Sequence, residues 1–244
     1  MRKAFATVIV AASALLIFSS CREIFARRIQ GNGNIATQTR YAHQFDGINV
    51  SGDIDVYVKQ DSATSIRVEA DENLQQYIET INDDHVLYIR PEMGYHLWST
   101  KQIKVYVSSP LFKEFEASGA CQVFSDGKIT SSSAIDIDLS GSCGAMLDLN
   151  APKISAGASG ACTIQLKGQT KEFNLQGSGS TTVRCFDLLS ENVDVDISGA
   201  GNAEVYASAK LSGSISGAAD VHYKGNAQTD IQTSGASSVM KANQ

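Results

Sequence analysis

Proline is nearly absent, with 3 in 244 residues, and aromatic residues make up only 7% of the chain. The first scarcity excludes a proline-rich extended polymer, and the second a core built around large rings. Bases are the minority charge, 20 against 26 acids. Arg2 and Lys3 fall in the first twenty residues, so a chain beginning at residue 21 carries 18 bases and a net charge of −8. Nucleic acid is thereby excluded as a partner, because phosphate neutralisation needs a basic surface. No apolar run after residue 21 approaches the roughly 20 residues of a membrane span, so the body is expected to be soluble. Histidine is sparse too: His43, His85, His96 and His222 sit in unrelated contexts, and none opens a metal or triad motif.

What is present begins with an address. Arg2 and Lys3 precede the apolar stretch from Ala4 to Phe18, and Ser19-Ser20 supplies a small-residue exit, the outline of an export signal over 1–20. Phe18-Ser19-Ser20-Cys21 resembles the lipobox of bacterial lipoproteins, which implies acylation of Cys21 and a membrane partner reached through that anchor. Buried acyl chains at about 0.8 kcal/mol per CH₂ would hold the protein at a bilayer surface. Residues 21–40 show no sustained period and read as a tether.

Internal repetition decides the fold. Ser-Gly pairs end at Gly119, Gly141, Gly160, Gly179, Gly199, Gly217 and Gly235, and the next residue is always Ala or Ser. Apolar Val123, Ala145, Ile164, Val183, Ala203, Val221 and Val239 stand four positions after those glycines, with polar or small residues between. Before the pairs the same period of two recurs, as in Ile135, Ile137, Leu139 and in Val193, Val195, Ile197. A unit this short cannot bury its own apolar side and must stack on its neighbours. The expected fold is all-β, a right-handed parallel β-helix over 117–244. An irregular part over 41–116 carries an eighth pair at Ser51-Gly52, a short helical turn after a cap-like Asp71, and a hairpin near Asn82-Asp83-Asp84 that brings antiparallel pairing.

These residues together resemble a known family. Phe45-Asp46-Gly47-Ile48-Asn49-Val50, Ser51-Gly52-Asp53-Ile54-Asp55-Val56, Asp71-Glu72-Asn73-Leu74, Leu97-Trp98 and the tail of Ser-Gly-Ala or Ser-Gly-Ser repeats are similar to the auto-transporter adhesin, head GIN domain family of Bacteroidetes. The resemblance implies a β-helix on the cell envelope and brings no catalytic residues.

Chemistry is thin elsewhere. Cys121, Cys143 and Cys162 share one repeat position and are expected to form an inward column of thiols behaving as small hydrophobes, with pairing among them and Cys185 left open. Glu116, Asp138 and Asp196 point outward three residues before their glycines, but Gly157 and Gln176 interrupt the line. Tyr95, Trp98 and Tyr106 are candidates for a binding surface that stacks on sugar or protein. No cofactor and no metal is expected. The reading is a lipid-anchored envelope protein that binds or displays without catalysis, with a glycan or a protein as partner. The alternatives are a polysaccharide-active enzyme on the same fold, and a structural protein forming homo-oligomers through an open C-terminal coil.

Overall fold

The computed structural model of the chain describes residues 26–243, so the expected export signal and Cys21 lie outside the described residues. The molecule is all-β, a β-solenoid of about 7 turns with some antiparallel strands at its N-terminal end. One face stacks Gly47–Gly52, Glu114–Gly119 and Ile135–Gly141, then continues rung by rung to Gln228–Gly235, parallel and in register. The second face stacks Ile103–Ser109, Ile54–Gln60 and Gln122–Thr130, and continues to Ser238–Lys241. Ser51-Gly52 thus belongs to the repeat column despite lying 67 positions before Gly119 in sequence. Among the described residues, the last rung pairs on one side only.

The corner between the faces explains the glycines. All eight, from Gly52 to Gly235, have positive φ, a region that costs an L-residue roughly 1–2 kcal/mol. The amide after each glycine from Gly119 onward also reaches the glycine carbonyl of the rung beneath, as in Ala120 to Gly52 at 2.7 Å and Ser142 to Gly119 at 2.8 Å. A side chain at the corner would therefore meet backbone.

A side chain two positions after the glycine adds a further bond at this corner. The thiols of Cys121, Cys143 and Cys162 donate to the carbonyls of Ser118, Ser140 and Ser159 at 3.2, 3.1 and 3.3 Å. Ser237, at the same repeat position, donates to Ser234 at 2.6 Å. This position tightens the corner from inside.

Alternation along the strands buries one set of side chains in a narrow core, including Ile135, Ile137, Leu139, Val193, Val195 and Ile197. Rungs accommodate one another by size. A Cβ on either Gly177 or Gly201 would lie 2.9 Å from the Thr181 hydroxyl, so Thr181 fills the space both glycines leave. That hydroxyl is buried and has no hydrogen-bond partner. An unpaired buried hydroxyl costs on the order of 1–3 kcal/mol, so Thr181→Val, near in shape, is expected to stabilise the protein by about 1 kcal/mol. A thermal melt checks this, and an unchanged or lower midpoint contradicts it.

The N-terminal end is closed by antiparallel strands. Ser65–Asp71 pairs with Ile103–Ser109, and Ile35–Arg40 pairs in turn with Ser65–Asp71. Ile78–Asp83 and Val86–Pro91 form the hairpin, whose turn residues Asp84 and His85 both have positive φ. Residues 27–40, read from sequence as part of a tether, contain strands: Arg27–Gln30 lies parallel to Tyr95–Trp98, and Ile35–Arg40 is the edge of the cap. Both are mostly exposed, so neither carries the alternation that would reveal it. The helical turn is a 3-10 turn at Glu72–Tyr77, and Asp71 does not cap it. Its buried carboxylate accepts instead from the Gly33 amide at 2.7 Å, the Thr100 amide at 2.9 Å and the Thr100 hydroxyl at 2.7 Å.

Candidate functional site

Register carries one line of outward residues up the first face: Asn49, Glu116, Asp138, Gly157, Gln176, Asp196 and Ser214. The sequence reading took Gly157 and Gln176 as breaks in this line, and the structure makes them part of a groove. A groove of about 690 Å³ runs beside the Ser-Gly corner, lined by Asn49, Glu116, Asp138, Gln176 and Asp196 together with the corner serines. Gly157 forms a notch into which Asp138 leans, because a Cβ there would collide with the Asp138 carboxylate.

Charge in this groove is unbalanced. The Asn49 amide donates to Glu116, and the Ser214 amide donates to Asp196 at 3.1 Å. Partial burial, then the charges of Glu116 and Asp136, push the Asp138 carboxyl above its ordinary value. Glu114, beside them, is raised first by burial and then by Glu116. The groove thus offers hydroxyls, one amide at its centre and carboxylates that gain from a hydrogen-bond donor or a cation. Among the described residues, no group of three or more His, Cys, Asp or Glu is arranged to hold a metal ion.

The aromatic candidates separate into two settings. Trp98 is half exposed, with the Arg28 guanidinium 3.6 Å from its ring centre, and Tyr95 packs on Tyr77 at 4.6 Å. Tyr106 heads a ladder with Tyr57 and Phe124, rings stacked at 5.0 Å on successive rungs, and Arg67 covers its free face at 4.1 Å. Stacking and Arg67 use both faces of Tyr106 and Tyr57, the faces a sugar would need, so those two rings present only their edges. Phe112 and Phe115, from the same stretch of sequence, are buried at the junction with Phe45. Trp98 and the Tyr106 ladder form no common site.

The four described cysteines are free and buried. A hydrogen bond shared with Cys143, and then burial, push the Cys121 thiol up; burial raises Cys162, and raises Cys185 to about 12. Those three thiols are protonated at neutral pH, the hydrogen bond shared with Cys121 lowers Cys143 to about 7, and burial of all four sulfurs keeps reagents from them. Directly stacked parallel residues also hold their Cβ atoms near the rung spacing of about 4.8 Å, wider than the roughly 3.5–4.5 Å of a disulfide. A thiol-reactive chromophore is expected to find no fast-reacting group in the folded protein and four after unfolding without reductant. Five would mean that Cys21 keeps a free sulfur, and two a disulfide in the column.

Among the described residues no helix is long and apolar enough to cross a membrane. A search of curated proteins gives no match. Among solved structures, a "putative adhesin" from Bacteroides fragilis has 18% identity and a TM-score of 0.83, covering 88% of this chain and 100% of its own. A second "putative adhesin", from Parabacteroides merdae, has 23% identity and a TM-score of 0.69, covering 89% and 100%. A "putative lipid binding protein" from Parabacteroides distasonis has 23% identity and a TM-score of 0.67, with the same coverage. At these identities the likeness is one of fold. The family model DUF2807, described as "Putative auto-transporter adhesin, head GIN domain", matches residues 44–227. Those residues hold the N-terminal cap apart from its edge strand Ile35–Arg40, the acidic groove and nearly every Ser-Gly corner, and the chain belongs to this family.

Proposed function

We propose that the protein is a lipid-anchored component of the cell envelope, held at the outer membrane through Cys21, that displays its solenoid for adhesion without catalysis. The observation that carries this reading is the long groove on the first face. It crosses six rungs and is lined by hydroxyls, carboxylates and the amides of Asn49 and Gln176, held at one repeat distance. Such a surface recognises an elongated polar ligand through many weak contacts, each positioned by the rigid rung beneath it. Family membership supports the envelope setting.

One observation favours the enzymatic alternative. Asp138, with its carboxyl raised, shares the groove with Glu116, and an acid beside a carboxylate is the pairing used in glycoside hydrolysis. A single experiment separates the readings: the full-length protein is applied to an array of host and bacterial glycans and, in parallel, to polysaccharide digestion assays. Retention without soluble product is the expected result. Release of oligosaccharide that Asp138→Asn abolishes would replace display with catalysis.

A further inference from the structure

A second groove, of about 550 Å³, lies where each rung returns from the second face to the first. One wall is a register column of Thr130, Asn150, Gln169, Leu189 and Tyr206 on five successive rungs. Its floor is made of small buried residues such as Ala151 and Ser190. At the usual 4.7–4.9 Å between rungs the column is about 19 Å long.

Three features of this wall point to a ligand. Leu189 is 47% exposed, one of few large apolar side chains left open to solvent, and it adjoins the half-buried Tyr206. Beside this apolar shelf, the exposed amides of Asn150 and Gln169 make no side-chain hydrogen bond to another described residue. The opposite wall carries Lys171 and Glu191, one charge of each sign, so the groove is neutral where the first groove is acidic.

These features select among polymers. A charged ligand gains nothing from a wall whose charges cancel. A peptide adding as a strand needs unpaired main chain, and the main chain of this wall is already paired between rungs. A neutral saccharide fits both halves: its C–H face lies on Tyr206 and Leu189, and its hydroxyls reach amides that both donate and accept.

We infer that this groove is a binding site for a linear neutral oligosaccharide, with Tyr206 and Leu189 as its stacking end and Gln169 and Asn150 as its polar end. The inference rests on the display reading above and adds to its acidic groove a second surface with a ligand class of its own. The test titrates full-length protein in detergent with cellohexaose, laminarihexaose, maltohexaose and mannohexaose, using wild type, Tyr206→Ala, Gln169→Ala, Asp138→Asn for the other groove and, as a control, Lys101→Ala.

At least one hexasaccharide is expected to bind. Tyr206→Ala and Gln169→Ala should each weaken it by about tenfold, as expected for one lost stacking or bidentate contact, and Lys101→Ala, an exposed residue outside both grooves, should leave it unchanged. Gln169 is exposed, so its variant separates lost binding from lost folding. Binding lost in Asp138→Asn but kept in Tyr206→Ala and Gln169→Ala would move the ligand to the acidic groove and overturn the inference. Absence of binding to all four sugars would also overturn it, and retention of the same protein on the glycan array would leave the display reading standing.

Discussion

Gly119→Ala is expected to lower stability by about 3 kcal/mol, more than a glycine-to-alanine change costs at an ordinary surface turn. Two penalties act at once. The residue has φ +96°, and a Cβ built on it would sit 2.6 Å from the carbonyl oxygen of Gly52 and 3.1 Å from its nitrogen. The first costs roughly 1–2 kcal/mol, and the second forces rungs apart, at the roughly 1–3 kcal/mol of overpacking. The forced shift disturbs two bonds, Ala120 to Gly52 and Ser142 to Gly119. Gly33→Ala is the matched control, because Gly33 also has positive φ, +83°, but no atom lies within 4 Å of the added carbon. It should cost about 1 kcal/mol, the conformational part alone. Urea unfolding of both variants measures the difference. Equal losses would mean that the Ser-Gly column is held by backbone conformation and not by the closeness of the rungs.

That column is also the part of the fold most legible in the sequence. Its spacing repeats and its flanking alternation is local, so the rung, the corner and the inward position of Cys121, Cys143 and Cys162 all follow from residues within one turn. Legibility fails where the contact is distant or the side chain has no neighbour of its kind. Asp71 looks like a helix cap because a helical turn follows it, whereas its partners lie 38 residues before and 29 residues after it. Tyr106 looks like an exposed binding aromatic, because nothing nearby in sequence says that Tyr57 stacks on one of its faces and Arg67 covers the other.

The grooves show a third kind of limit. Glu116, Asp138 and Asp196 are readable as outward acids, but a groove needs absences, and Gly157 reads as an interruption until register places it between longer side chains. The second groove is harder still. The ladder is irregular between Gln165 and Gly168, between Cys185 and Leu189, and between Ser190 and Asn192. Those slips put Gln169, Leu189 and Tyr206 in one column although their distances from the preceding Ser-Gly corner differ.

Asp71→Asn tests the closure of the N-terminal end, and its effect depends on pH. Burial alone would raise this carboxyl, yet bonds from the Thr100 hydroxyl, the Thr100 amide and the Gly33 amide outweigh it and hold the group below its ordinary value. A group depressed in the folded state stabilises above its unfolded pKa, and that contribution is lost as pH falls through the folded pKa. Two of the bonds fall on Oδ1 and one on Oδ2, so an asparagine that keeps its oxygen at the first place turns an N–H₂ toward the Thr100 amide, losing that bond and the charge that strengthens the other two. At about 1.5–3 kcal/mol for a charge-assisted hydrogen bond, the variant should lose about 3 kcal/mol at pH 7. The gap to wild type should narrow toward pH 3, where protonation of this carboxyl in the unfolded chain begins to cancel the advantage of the folded one. Asp138→Asn should run the other way, stabilising at pH 7 and neutral in acid, because a raised carboxyl withholds stability as pH climbs through its folded value. Denaturant midpoints at the two pH values measure both variants. A loss in Asp71→Asn that stays the same at pH 3 would show that side-chain shape, and not the charge drawn to Thr100 and Gly33, holds residues 31–34 across the end of the solenoid.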